Sequence, residues 1–413
     1  MDRYDLLYEL YDEFDADALR DHQRFVDVFP PVDSRVALSH YQTIDAELTD
    51  RKDEIRDAFE AGETLADVAA HATREEAFTA LDLCTEHGRR VNVLVLDVDE
   101  TLRSAGSTDN EIPRETLHYL TEFHEAGVPI VICTGQTLEN VKGFTIQGLG
   151  SELVHSGNVS IVYEAGTGAF TPGHGPRTKE LLYEDLDEEI QDVFYRIRSR
   201  VLPDAPEAIR QGCHLQGNEF NVTLKPNAEV GSDPAAEVID TALCHLLDLL
   251  GEVVADRTDT AADGAGTDWA RGFYADADPE IRGVLEARDA LPDLDVQEVP
   301  SAVTDTFERI DVAYYEADAA EIGSLELNKV VGVEAAFDVL GIDDAFPLVM
   351  GDSKSDLRVM EWVGDSGLAA APEHASRAVL DYVIRTDELV FDRGSAAEVL
   401  RIVYALNRLA TIG

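Results

Sequence analysis

The pattern of hydrophobic and polar positions divides the chain into a helical stretch and a longer region of alternating strands and helices. Up to about residue 88 the periodicity is helical, and one predicted helix face carries Ile44, Leu48, Ile55 and Phe59. Residues 73–76, Thr-Arg-Glu-Glu, have the capping-box pattern that opens a helix. From Val91 onward, short uninterrupted apolar runs appear, which is typical of strands buried on both faces of a parallel sheet.

Three of these runs are predicted to be buried strands, at residues 91–96, 128–133 and 346–350. Further apolar segments follow at 153–163 and 367–371, and a C-terminal helix is predicted at 396–409. A helix is predicted between the first two strands, from Pro113 to the residue before Gly127. Proline is common at the first position of a helix, and glycine is common just after its last residue. We therefore predict an α/β fold, a Rossmann-like core with a parallel sheet.

Residues 167–325 follow a different pattern and are predicted to be an inserted α+β module. Helical stretches at 186–201, 235–250 and 279–290 alternate with strand-like ones at 213–225, 295–299 and 309–315. Residues 256–278 are rich in Asp, Gly, Ala and Thr and are predicted to form a surface loop. The predicted organisation is a helical N-terminal extension (1–88), a core in two parts (89–166 and 326–413) and the insertion (167–325).

The chain is strongly acidic, with 83 Asp and Glu against 33 Lys and Arg, a net charge of −50 and a pI near 4.3. Such a surface repels nucleic acid and anionic membranes, so neither is an expected partner. Only six lysines occur, and acid enrichment with arginine in place of lysine resembles cytoplasmic proteins of salt-in halophiles. At molar salt the Debye length is about 3 Å, which would screen the self-repulsion.

The expected location is the cytoplasm. The acidic N-terminus lacks the basic and then apolar pattern of a secretory signal, and no apolar run is long enough to span a membrane. Reduced thiols are expected because no CxxC pair occurs among Cys84, Cys133, Cys213 and Cys244. A zinc site is not predicted, because no ligand spacing links His40, His71, His87, His155, His174, His214 and His374.

Polar residues suited to one chemistry follow each of the three predicted buried strands. The set is Asp97 and Asp99 after the first strand, Thr134 after the second, Asp352 and Asp356 after the third, and Lys329 shortly before the third. Carboxylates at the end of a buried strand cost free energy unless a cation or hydrogen-bond donors compensate. In parallel α/β sheets this carboxyl edge is also where ligands bind.

In this order the residues resemble the four motifs of the haloacid dehalogenase-like superfamily, over about residues 91–410. These motifs are DxDx[TV], an apolar strand ending in Ser or Thr, a lysine, and GDxxxD. The insertion resembles the type II cap of sugar-phosphate phosphatases of the Cof, sucrose-phosphatase and trehalose-phosphatase kind. Residues 164–166, Glu-Ala-Gly, stand where those families often have Glu-Asn-Gly, and residues 328–335 are similar to their Asn-Lys-Gly-x-Gly-Val stretch.

The resemblance implies a phosphomonoester hydrolase that acts on a small, sugar-like phosphate. Asp97 would be the nucleophile and form an aspartyl phosphate. Asp99 would protonate the leaving oxygen and then deprotonate the water that hydrolyses the intermediate. Thr134 and Lys329 would hold the phosphoryl oxygens, with Lys329 neutralising charge in the transition state.

The resemblance also implies Mg²⁺ as cofactor, because a phosphomonoester carries about two negative charges and an anionic nucleophile needs a cation beside it. The expected ligands are Asp97, the backbone carbonyl of Asp99, and Asp352. Asp356 would support these ligands from behind without binding the ion. Mg²⁺ suits such an oxygen-only site.

Two other functions are compatible with parts of this pattern. Phosphomutases of the phosphomannomutase type share the core and the cap style, and they would isomerise a substrate instead of releasing phosphate. A catalytically silent regulatory or binding protein could use the N-terminal helices, but intact Asp97, Asp99, Lys329 and Asp352 argue against it.

Three positions depart from the related families. Glu100 stands where Gly is usual, Gln136 where Arg is frequent, and Ser355 where Asn often precedes the last Asp. None of these changes removes a charged catalytic group. Together they indicate a divergent branch, so the motifs identify a class of substrate and no single compound.

The net charge of −50 predicts that folding depends on salt. We expect the melting temperature, measured by circular dichroism, to rise between low and molar KCl, because salt screens the repulsion between surface carboxylates. A melting temperature that stays constant across this range would contradict the prediction.

Overall fold

The computed structural model describes residues 2–30, 32–103, 111–218, 220–227, 230–258 and 265–412. The N-terminal part is helical, as predicted, and consists of α1 (Arg3–Glu13), α2 (Ala16–Asp27), α3 (Arg35–Ala58), α4 (Gly62–His71) and α5 (Arg74–His87). The predicted capping box is present at α5, where the Thr73 side chain accepts from the Glu76 N–H and the Glu76 side chain from the Thr73 N–H. Gly88, in the left-handed conformation, ends this helix.

The strands and helices of the core follow in two parts. The first part contains β1 (Val93–Leu96), α6 (Arg114–Glu125), β2 (Ile130–Cys133), α7 (Leu138–Leu149), α8 (Ser151–Val154), β3 (Val159–Tyr163), β4 (Gly168–Phe170) and β5 (Lys179–Leu181). The inserted region contains α9 (Glu188–Arg200), α10 (Glu207–Gly212), β6 (Cys213–Gln216), β7 (Asn221–Pro226), α11 (Ser232–Arg257), α12 (Ala265–Ala277), α13 (Pro279–Ala287), α14 (Ser301–Phe307), β8 (Ile310–Tyr315) and β9 (Ala319–Ser324). The second part of the core contains α15 (Lys329–Leu340), β10 (Pro347–Met350), α16 (Lys354–Val363), β11 (Leu368–Pro372), α17 (Arg377–Arg385), β12 (Leu389–Phe391) and α18 (Ala396–Leu409).

The core sheet has eight strands in the order β12-β11-β10-β1-β2-β3-β4-β5. The pairs from β12 to β3 are parallel, which confirms the predicted parallel sheet. β1 lies between β10 and β2, and all residues of these three strands are buried. This burial explains why their sequences are apolar without alternation.

The chain forms two compact units, each with its own hydrophobic core. The first comprises Met1–Tyr163, Ala169–Glu180 and Val333–Gly413, and the second comprises Glu164–Gly168 and Leu181–Gly332. In the first unit, Leu7 of α1 and Leu65 of α4 belong to the same apolar cluster as Leu94 of β1. The N-terminal helices therefore share a core with the sheet. The second unit has a four-stranded antiparallel sheet in the order β6-β7-β9-β8.

The prediction of a surface loop at residues 256–278 is wrong where the structure describes this region. α11 continues to Arg257, and Ala265–Ala277 forms α12. The small residues that suggested a loop instead allow two helices to touch: a Cβ atom built on Gly251 would lie 2.1 Å from the carbonyl oxygen of Gly266. A composition rich in Ala and Gly thus reflects close helix packing here.

The predicted strand at residues 295–299 is also wrong. Val296–Glu298 forms a short 3-10 turn, and the Asp295 side chain accepts a hydrogen bond of 3.0 Å from the Gln297 N–H. Asp side chains stabilise turns in this way, and Pro300 follows directly.

Across the described residues, no helix combines the length and the apolar character that crossing a bilayer requires.

The Glu-Ala-Gly segment lies where the chain enters the second unit, and it requires glycine. Glu164, Ala165 and Gly166 all have positive φ, and Gly166 has φ +102°. A Cβ atom on Gly166 would lie 1.9 Å from the carbonyl oxygen of Asn328. The first residues of the second unit therefore pack directly against the backbone just before α15.

We expect Gly166→Ala to destabilise the protein by about 3 kcal/mol or more, because it adds a backbone clash to a strained φ. Thermal and urea unfolding would measure this loss. Gly283→Ala is the matched control: Gly283 lies in α13 of the same unit, with nothing within 4 Å of an added Cβ. The control should be neutral or stabilising by roughly 0.5–1 kcal/mol. Equal stability of the two variants would contradict the proposed contact.

Candidate active site

The register of the parallel strands brings the predicted site residues to one edge of the sheet. Leu96 of β1 pairs with Met350 of β10 and with Ile132 of β2. The Asp97 N–H continues the ladder and donates to the Met350 carbonyl at 2.9 Å. Asp97, Thr134 and Asp352 therefore all follow the carboxyl ends of adjacent strands, as the sequence predicts.

Three carboxylates meet at this edge. Asp97, Asp352 and Asp356 each offer an oxygen within 4.8 Å of the other two. Asp97 and Asp356 are only 6% and 3% exposed. Like charges this close repel each other, which favours the binding of a cation between them. The donors of this cluster are oxygen atoms only, the set that suits Mg²⁺.

Asp356 reaches the cluster because of two local features. It forms a capping box with Ser353, whose N–H and hydroxyl donate to its Oδ2 at 3.1 and 2.6 Å. A Cβ atom on Gly351 would lie 2.3 Å from the Asp356 side chain, so only glycine leaves room for the carboxylate. This close approach explains the glycine of the GDxxxD motif. The role predicted for Asp356, behind the metal ligands, stays a prediction.

Asp99 occupies a different environment from Asp97. Its side chain is 48% exposed, and both of its oxygens have partners. Arg103 donates to Oδ1 at 2.6 and 2.9 Å through Nη2 and Nε, and Gln136 donates to Oδ2 at 2.5 Å. The carboxylate is thus fixed in orientation while it remains open to solvent. Arg103 is not among the site residues predicted from the sequence, although its spacing of four residues from Asp99 is a signal of such a pair.

Glu100 has φ +58°, in the left-handed region that favours glycine. This conformation explains why Gly is usual here in the resembling families. In this chain the Glu100 carboxylate lies 2.9 Å from Arg393 and 3.2 Å from His374. These contacts connect the loop after β1 to the loops after β11 and β12, and the ion pair with Arg393 offsets part of the backbone strain, which is of order 1 kcal/mol.

Thr134 and Lys329 are both buried, at 1% and 3% exposure. The Thr134 hydroxyl accepts from the Gln136 N–H at 3.1 Å, which shapes the turn after β2. Lys329 is the first residue of α15, and Asn328 caps this helix by accepting from the Val330 N–H at 2.8 Å. Lys329 belongs to the second compact unit. Its role toward a phosphoryl group stays a prediction.

Residues 94–192 match the family of haloacid dehalogenase-like hydrolases. The predicted resemblance to this family is confirmed. The matched segment includes Asp97, Asp99 and Thr134. The prediction that the chain is an enzyme of the hydrolase class is confirmed with it. A comparison with curated proteins finds no match.

Several solved structures are similar to this chain at low sequence identity. Sucrose-phosphatase from Synechocystis sp. PCC6803 is 12% identical with a TM-score of 0.44, over 77% of this chain and 99% of that chain. Trehalose-6-phosphate phosphatase from Aspergillus fumigatus is 15% identical with a TM-score of 0.41, over 80% of this chain and 97% of that chain. A haloacid dehalogenase-like hydrolase from Bacteroides thetaiotaomicron is 13% identical with a TM-score of 0.40, over 76% of this chain and 99% of that chain.

Proposed function

We propose that this protein is a Mg²⁺-dependent phosphomonoester hydrolase that acts on a small, sugar-like phosphate through an aspartyl-phosphate intermediate. The observation that carries the proposal is the meeting of Asp97, Asp352 and Asp356 at the carboxyl edge of the sheet. Asp99, two residues after Asp97, completes the pair of carboxylates that such a two-step hydrolysis needs. The family match supports the hydrolase part of this proposal.

Asp97 is the proposed nucleophile. A carboxylate oxygen of Asp97 attacks phosphorus, the bond to the leaving oxygen breaks, and the phosphoryl group remains on Asp97 as an acyl phosphate. Water then attacks this phosphoryl group, releases inorganic phosphate and regenerates the carboxylate. The backbone position of Asp97 is fixed by its N–H bond to Met350, so the attacking group needs little reorganisation.

Asp99 is the proposed general acid and base. It gives a proton to the leaving oxygen in the first step and takes one from the attacking water in the second. Arg103 and Gln136 hold its two oxygens, so the carboxylate stays in one orientation through both steps. Its partial exposure suits exchange of protons with water.

Asp97 and Asp352 would hold Mg²⁺, with Asp356 supporting them from behind, and the bound ion would neutralise charge on the phosphoryl group and on the nucleophile. The backbone carbonyl of Asp99 is the further ligand that the sequence resemblance suggests. Thr134 would bind a phosphoryl oxygen from the end of β2. Lys329 is assigned to the phosphoryl group by the sequence resemblance alone.

The second unit is the proposed source of substrate specificity. The motifs at the sheet edge bind a phosphoryl group and a metal ion, which are common to all phosphomonoesters. Discrimination between esters therefore requires contacts to the remainder of the substrate. The proposal of a sugar-like substrate rests on the resemblance of the insertion and of residues 328–335 to sugar-phosphate phosphatases.

We expect the purified protein to release inorganic phosphate from members of a panel of sugar phosphates at high KCl. EDTA should abolish this activity and added Mg²⁺ should restore it. Asp97→Asn should lower the rate by a factor of roughly 10³ or more, because an amide cannot form the acyl phosphate. Asp381→Asn is the control, since Asp381 lies on α17 with a side chain that is 73% exposed.

Three results would contradict the proposal. Wild-type turnover by a folded Asp97→Asn variant would exclude Asp97 as nucleophile. Isomerisation of a sugar phosphate, dependent on a bisphosphate activator and without phosphate release, would indicate a phosphomutase. No turnover of any panel member in Mg²⁺ would favour a binding protein.

We expect Asp99→Asn to affect substrates unequally. With alkyl phosphates the rate should fall about 100-fold or more, because an alkoxide leaves poorly without a proton. With p-nitrophenyl phosphate the fall should be less than about tenfold, since this leaving group hardly needs protonation. Steady-state rates on both substrates give the ratio. Equal losses would show that Asp99 serves the metal site or the local geometry instead.

A further inference from the structure

A second group of possible metal ligands lies in the N-terminal part of the first unit, on elements that do not carry the catalytic carboxylates. Asp27 is the last residue of α2, His71 is the last residue of α4, and His118 lies on α6. Each offers one ligand atom within 4.8 Å of the other two. All three line one cavity of about 140 Å³ between these helices, so an ion has room beside them.

The spacing of these atoms suits a small divalent cation. Nε2 of His118 lies 3.2 Å from Oδ2 of Asp27. Ligand atoms about 2.0–2.1 Å from a tetrahedral Zn²⁺ are themselves roughly 3.3 Å apart. Nε2 of His118 is buried, and it makes no hydrogen bond of good geometry within the described part of the chain. Its contact within that part of the chain is with Oδ2 of Asp27, and a metal ion bound to both atoms would satisfy this nitrogen better than a poorly aligned contact does.

The other two residues are oriented by contacts on their far sides. Nδ1 of His71 contacts the Tyr119 hydroxyl at 3.2 Å, so Nε2 is the ring nitrogen that would bind an ion. Gln23 donates to Oδ1 of Asp27 at 2.6 Å, so Oδ2 would bind. Such supporting hydrogen bonds are characteristic of metal-binding His and Asp. His71 is only 6% exposed.

The charges around the cavity favour a cation over an anion. Three arginines also line it, but each is already paired: Arg20 with Asp17, Arg24 with Glu115 at 3.1 Å, and Arg401 with Glu76 and Glu115. An anion would have to break these pairs.

We propose that Asp27, His71 and His118 form a second metal site that binds Zn²⁺ and fixes α2 and α4 onto α6. Two imidazoles and one carboxylate are ligands that Zn²⁺ binds well and that Mg²⁺ does not favour. The site is therefore chemically distinct from the oxygen-only cluster at the sheet edge. Sequence spacing did not predict it, because the three ligands come from three helices.

The test uses the full chain, stripped of metal with a chelator and returned to high KCl with excess Mg²⁺ to fill the acidic cluster. We expect one Zn²⁺ to bind per chain in a competition titration with a chromophoric chelator, and the melting temperature to rise with it. Co²⁺ should bind at the same site and give the visible absorption of a nitrogen-ligated ion. His118→Gln and, separately, Asp27→Asn should each weaken Zn²⁺ binding about tenfold or more.

His124→Gln is the matched control, because His124 lies on the same helix outside the cluster. It should leave Zn²⁺ affinity unchanged. Circular dichroism and gel filtration establish that each variant is folded, and the conservative Asp27→Asn variant serves if His118→Gln does not fold. Zn²⁺ binding that survives both substitutions, or that disappears with Asp352→Asn instead, would overturn the proposal. Failure of the wild-type chain to bind Zn²⁺ would overturn it too.

Discussion

The candidate active site depends on the parallel register of β1 between β10 and β2. This register aligns Leu96 with Met350 and Ile132, and so delivers the residues that follow each strand to one edge. The result is a group of three close carboxylates, of which those of Asp97 and Asp356 are buried. The burial of the apolar side chains of β1, β2 and β10 provides the free energy that offsets the repulsion between these carboxylates.

The two aspartates of the first motif lie two residues apart and have different environments. Asp97 is nearly buried and faces other carboxylates, whereas Asp99 is half exposed and held by Arg103 and Gln136. Gln136, which departs from the arginine of related families, still contributes a hydrogen bond to the site. Glu100, another departure, forms an ion pair with Arg393 and contacts the His374 ring.

The acidic composition does not prevent specific ion pairs in the interior. Arg401 of α18 contacts Glu76 of α5 at 2.7 Å and Glu115 of α6 at 2.6 Å, and its side chain is 21% exposed. This network joins the N-terminal helices to the core beside their shared apolar cluster. The helical extension is thus an integral part of the first unit, and it also supplies two of the three ligands of the proposed zinc site.

The sequence alone determined the fold class and the list of catalytic candidates, because both depend on local pattern. Apolar runs of strand length need burial on both faces, and Asp97, Asp99, Thr134 and Asp352 are recognisable from their place at the ends of those runs. The tertiary structure decided what depends on contacts between distant segments. It placed Asp356 with Asp97 and Asp352, positioned Gln136 against Asp99, replaced a predicted loop with α12, and brought His71 and His118 to Asp27. Such contacts arise from helix packing and strand register, which have no fixed spacing along the chain.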